Sequence, residues 1–150
     1  MLRLLLAATT ITLLAALPHA HAAGVEQLEA NKKTVTAFED AALNRKDFEA
    51  AAKYLGPRYT QHNPNAGDGP EGLKAYLTFL KEKFPASHSE IRHIFADGDY
   101  VIVHDHAVRE PGTRGLAIVN IYKLEDGKVV EHWDVIQPVP EKAANDNGMF

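Results

Sequence analysis

Four segments in succession, from His88 to Val139, alternate residue character at the period of a β-strand and are joined by short glycine-containing turns. HSEIRHIFA leads to DGD, YVIVHDHAV to REPGTRG, LAIVNIYKL to EDGK, and VVEHWDVIQPV comes last. Strands linked this closely must run antiparallel, because a parallel pair needs a long crossover. Helical spacing comes earlier. Val25, Leu28, Val35, Phe38 and Ala42 predict a first helix ending near Asn44. Asp47 is a good N-cap for a short second helix. Asp68-Gly-Pro-Glu71 reads as a capping box opening a third helix, with Leu73, Tyr76, Leu77, Leu80 and Phe84 as its buried stripe and Pro85 as its stop. Helices first and a meander after is an α+β arrangement, with the helices covering one face of the sheet.

That leaves the other face. In LAIVNIYKL both sets are apolar, Leu116, Ile118 and Tyr122 on one side and Ala117, Val119 and Ile121 on the other. A second apolar face needs a second cover, either another copy of the chain or its own C-terminal tail. A homodimer is the expectation.

The N-terminal residues are set apart from this domain. Arg3 precedes the apolar run LLLAATTITLLAAL, Pro18 breaks the run, and Ala20-His21-Ala22 has the small residues of a cleavage site. The segment 1–22 is expected to be a secretory signal peptide cut after Ala22, leaving 23–150 as one domain in the periplasm or outside the cell. No membrane association is expected after cleavage. The remaining domain carries 15 basic and 20 acidic side chains with no basic run, which argues against nucleic acid. It has no cysteine and must rely on its core. The tail from Glu141 to Phe150 is polar and expected to be loose.

The strands also carry polar groups among apolar ones. His104 and His106 share a face with Ile102 and Val108, and Asp105 points with Val103 and Ala107. Asn120 lies between Ile118 and Tyr122, and His132 and Asp134 between Val130 and Ile136. His62, in QHNPN, sits where the chain turns toward the third helix. Singly, each has a structural explanation. Together they are costly in a closed core, about 1–3 kcal/mol for each group left unsatisfied. The expectation is that His104, His106, Asn120, His132 and Asp134 face a helix-covered cavity, with His62 at its rim.

YTQHNPNAGDGPEGLKAYL and LAIVNIYKLEDGKVVEHWDVIQPVP resemble the SnoaL-like polyketide cyclases, within the nuclear transport factor 2-like (NTF2-like) superfamily, over Val25 to about Pro140. The resemblance implies a cone: three N-terminal helices packed in the concave face of a curved antiparallel sheet around a pocket, often dimeric through the sheet. It implies an aspartate acting as general acid/base in an aldol closure, without metal or cofactor, at the position matched by Asp134. Relatives often carry an acid or histidine where this chain has Asn120, which cannot exchange a proton at neutral pH.

The expected function is therefore proton transfer beside a carbonyl: aldol-type cyclisation, isomerisation or dehydration. Asp134 would be the base. His132, His104 and His106 would hydrogen-bond the carbonyl oxygen of a small apolar or aromatic compound, with Asn120 and His62 also contacting the ligand. A non-catalytic binding protein with the same pocket is the alternative. A metal site made of His104, His106, His132 and Asp134 is a third possibility, against which the resemblance speaks.

Overall fold

The computed structural model of the protein describes residues 17–150, with side chains from Gly24 on. Of the expected signal peptide, residues 1–16 lie outside that description, as do the side chains of the rest. Helix α1 spans Leu17–Glu39 and runs on through a π-helical turn, Asp40–Asn44. Helix α2, Phe48–Ala51, is capped by Asp47, whose carboxylate accepts the Ala50 N–H at 3.0 Å, and continues as a 3-10 turn over Ala52–Tyr54. Strand β1 is Leu55–Gln61 and helix α3 is Gly69–Lys83. Strands β2 (His88–Asp97), β3 (Tyr100–Val108), β4 (Leu116–Glu125) and β5 (Lys128–Pro138) complete the chain. None of the described helices is long and apolar enough to cross a membrane.

The five strands form one open curved sheet in the order β1-β5-β4-β3-β2, with the helices packed on it. Strands β2 to β5 are the antiparallel meander. Strand β1 joins it parallel to β5, so the sheet is mixed. The β4–β5 hairpin turns on Asp126 and Gly127, both at positive φ (50° and 69°), as a two-residue turn of matching twist requires. Two register slips matter below. One falls at Arg92, between β2 and β3, and one at Val130, between β4 and β5. The second leaves both Val129 and Val130 buried, where simple alternation would expose one.

The core lies between helices and sheet. Val35, Phe38, Leu73, Leu77 and Leu80 meet Val101, Val103, Tyr122, Leu124 and Val129. Each large aliphatic side chain buried this way contributes about 1.5–3 kcal/mol. One expected cap takes a different form. Asp68 makes no side-chain bond to α3; its carboxylate accepts the Gln61 N–H at 2.8 Å and ties the 62–68 loop to the end of β1. Gly72 holds the same loop from below, since a Cβ there would collide with the Gly67 carbonyl.

Among the described residues no helix covers the opposite face of the sheet. Val135 is 70% exposed and Phe95 60%, with Tyr100, Ile102 and Val119 also exposed. The C-terminal tail has no regular structure. Its last residue, Phe150, returns to this face against the rings of His104 (5.3 Å between centroids) and His106 (4.6 Å).

Candidate functional site

Residues paired across neighbouring strands share a face. Val103 pairs with Asn120 and Asn120 with Asp134, so these three look toward the helices. His104 pairs with Val119, which pairs with Val135, and these look away. The expectation for His104 and His106 is therefore corrected: both lie on the outer face, and Asp105, between them, is the inward residue. Alternation along one strand says which residues go together, but not toward which side. The four-residue metal set cannot converge for the same reason, since His104 and His106 are on the opposite side of the sheet from His132 and Asp134.

His62 is also corrected. Gln61 pairs with His132 and takes the cavity side, so the next residue turns out. The His62 ring stacks on Trp133, 4.6 Å between centroids and 4° from parallel, and its Nε2 lies 2.8 Å from Glu131 Oε1. Its neighbours Gln61 and Asn63 line the cavity in its place.

The cavity holds about 60 Å³. Its apolar wall includes Phe38, Leu73, Tyr76, Ile118 and Ile136; its polar groups come from Tyr59, Gln61, Asn63, Asn120, His132 and Asp134. One water needs about 10–15 Å³, so the space is real. It is well below the roughly 300–1,000 Å³ of pockets that enclose drug-sized ligands. A wider, open depression of about 860 Å³, between the 109–116 loop and Val139–Lys142, shares no lining residue with it.

Asp134 is the only carboxylate on the cavity wall among the described residues. Asn63 Nδ2 donates to its Oδ2 at 2.6 Å; its partner is thus Asn63, and not Asn120 or a histidine as the shared strand face suggested. Burial raises its pKa above the usual aspartate value, and the Asn63 hydrogen bond opposes the rise.

His132 is committed elsewhere. Its Nδ1 lies 3.0 Å from Gln61 Oε1 and its Nε2 3.0 Å from Asn120 Oδ1. Both amides are oriented by their other bonds. Gln61 Oε1 accepts the Asn63 N–H at 2.8 Å, and Asn120 Nδ2 donates to Asp105 Oδ2 at 2.6 Å. A neutral ring carries one N–H, and with an amide oxygen against each nitrogen that N–H goes to one of them and not to a ligand, which removes the expected role of His132 as a donor to a carbonyl oxygen. Burial pulls its pKa down to about 4, so the ring is neutral at pH 7. Tyr59 is the better donor. Its hydroxyl accepts from Gln61 Nε2 at 3.1 Å and its own proton has no acceptor among the described residues.

Behind Asn120 lies a group that strand reading did not bring to the site. Glu39 Oε1 accepts from Tyr122 Oη at 2.8 Å and from Asn120 Nδ2 at 3.3 Å. Glu39 and Asp105 are both buried, and the Asn120 amide donates to one oxygen of each. Burial, and then the charge on Asp105, push Glu39 well above its ordinary value. Burial raises Asp105 to about 6, against hydrogen bonds from Asn120 and Glu39. Burial thus favours the protonated form of both carboxyls. Glu39 Oε2 and Asp105 Oδ1 are buried without a hydrogen-bond partner among the described residues, which leaves them as the oxygens available to a shared proton. A signal was present in the sequence: Glu39 sits four residues after Val35 and three before Ala42, on the apolar stripe of α1.

A family model described as a SnoaL-like domain matches residues 35–132. Several solved structures share the fold. A candidate polyketide cyclase from Acidithiobacillus ferrooxidans is 24% identical, with a TM-score of 0.61 over 71% of this chain and 87% of that one. AclR, a candidate hydroxylase from Streptomyces galilaeus, is 22% identical, with a TM-score of 0.62 over 74% and 81%. An NTF2-like protein of unknown function from Cytophaga hutchinsonii is 22% identical, with a TM-score of 0.57 over 72% and 90%. At these identities the likeness is one of fold. No curated protein matches the chain.

Proposed function

The chain belongs to the SnoaL-like domain family, and from that premise we propose that it moves a proton on the carbon beside a carbonyl of a small, largely apolar compound. The observation that carries this reading is a lone carboxyl, Asp134, on the wall of a mostly apolar cavity, with its pKa raised by burial. Asp134 is the base: a raised pKa improves proton transfer at neutral pH. The Tyr59 hydroxyl donates to the carbonyl oxygen and supports the charge that grows there as the α-proton leaves. Asn63 holds Asp134 in place. The volume limits the reacting part of the ligand to about one small ring. Neighbours named as a candidate cyclase and a candidate hydroxylase make carbonyl-rich ligands the chemistry to test. Cyclohexanone titrated into the labelled protein should shift the backbone amide signals of Asn63, Asn120 and Asp134. Signals unmoved at saturating ketone would contradict the reading. The same pocket without turnover, a binding protein, is the second reading; the sequence pattern read as a secretory leader at 1–22 supports it, because export would part the protein from cytosolic polyketide synthesis. Both readings place the mature domain outside the cytoplasm.

The exposed outer face supports a homodimer formed through the sheet. Val135→Lys places a charge at its most exposed apolar position and should convert the dimer to monomer in sedimentation. A parent chain that sediments as a monomer at every concentration would refute the dimer.

A further inference from the structure

A second cavity, of about 40 Å³, abuts the first, and the two share the side chains of Leu43, Tyr76 and Ile118 as a common wall. Beyond that wall the lining is Leu80, Ala107 and Val108, and it ends at Ser87, His88, Ser89 and Arg109. The Ser89 hydroxyl is buried and has no hydrogen-bond partner among the described residues, a state that a closed interior penalises. Nothing in the fold requires it. The Asn44 side chain already serves the Ser89 backbone, accepting its N–H at 2.8 Å and donating to its carbonyl at 3.1 Å. The partition consists of two aliphatic side chains and one tyrosine, none of them fully buried.

We propose that the two cavities are one site with two chambers, and that its ligand is elongated: a carbonyl-bearing ring beside Asp134, an unbranched apolar arm passing Leu43, Tyr76 and Ile118, and a hydrogen-bonding group at the end of the arm that meets the Ser89 hydroxyl. This rests on the reading of the first chamber given above and names its ligand class. The arm explains how a cavity that admits only a small ring can select among ring compounds. Each methylene buried in the second chamber strengthens binding, and the orphaned hydroxyl rejects an arm that brings no polar end.

The test uses cyclohexanone and 2-alkylcyclohexanones with arms of two, four and six carbons, titrated into the full chain and followed at the amides of Asp134 and Ala107. Affinity should rise about three- to fourfold for each methylene buried, and the Ala107 signal should move only with the longer arms. A terminal hydroxyl on the six-carbon arm should add about two- to tenfold, and Ser89→Ala should remove that gain alone. Ala107→Leu, which narrows only the second chamber, should bring the longest ketone close to cyclohexanone and leave cyclohexanone unchanged. Affinity independent of arm length in the parent chain, with cyclohexanone still bound beside Asp134, overturns the second chamber and leaves the first. No binding by any of the ketones overturns both.

Discussion

Asp134→Asn is expected to lower turnover of a carbonyl substrate by about 10²-fold or more, the usual scale for loss of a general base. Affinity for the same substrate should change far less, because the lost interaction belongs to the transition state. The geometry makes the substitution a clean one. Asparagine has nearly the same shape, and its side-chain oxygen can still accept from Asn63 Nδ2, which now bonds Asp134 at 2.6 Å. Folding should therefore survive, and stability at neutral pH should hold or rise. The sign follows from the raised pKa of Asp134. A folded-state pKa above the unfolded value favours the native state in acid, and that advantage is lost as pH rises through the folded value. Steady-state rates and ligand titration on both proteins check the split. Equal losses of turnover and affinity would make Asp134 a binding residue only.

The second large effect belongs to the buried carboxyl pair. Glu39→Ala should cost roughly 1–3 kcal/mol for each buried donor it leaves unsatisfied. It strips the Tyr122 hydroxyl and an Asn120 N–H of their shared acceptor, Glu39 Oε1. Asp105→Asn should act in the opposite direction, stabilising the protein at pH 7 by on the order of 1–3 kcal/mol. An amide there accepts from Asn120 and donates to Glu39 without carrying a charge. Its advantage should be small near pH 4, grow through about pH 6 and level off above, because the folded pKa of Asp105 is raised to about 6. His132 pulls the other way in the parent chain. Its pKa is lowered to about 4, so its contribution grows as pH rises from there to its unfolded value. The difference between parent and variant isolates the carboxyl pair from it. Urea unfolding across that pH range supplies the numbers. An Asp105→Asn protein less stable than its parent at pH 7 would mean that the charge itself holds the network together.

Much of this could be read along single elements. The Asp126-Gly127 hairpin, the Asp47 cap and the stop of α3 before Pro85 all rest on local chemistry, and local chemistry is what a sequence displays. Placement across elements is less visible. His104 and His106 alternate correctly with Asp105, yet which set faces the helices is decided by the pairing of β3 with β4, where Val103 meets Asn120 and His104 meets Val119, and not by alternation along β3 alone. His62 turns outward because β1 pairs with β5 in parallel, a choice made by tertiary packing. His132 lies on the cavity side as alternation suggests, but the amides of Gln61 and Asn120 occupy both its nitrogens, and only the assembled structure brings them there. Glu39 was the most legible of the residues passed over. A charge on an apolar helical stripe implies a buried partner, and its partner Asp105 sits on an inward strand position between Val103 and Ala107.

The central claim is that Asp134 takes a proton from carbon, and hydrogen–deuterium exchange measures that step without knowledge of the natural substrate. Cyclohexanone in deuterated buffer loses its α-proton signals as they exchange, and proton NMR follows the loss. The parent protein should accelerate exchange well above buffer, with a rate that rises with pH around a midpoint above the ordinary aspartate value, and Asp134→Asn should bring it back to the buffer rate. Exchange no faster than buffer in the parent, with cyclohexanone bound beside Asp134, would contradict the claim and make the cavity a binding site alone.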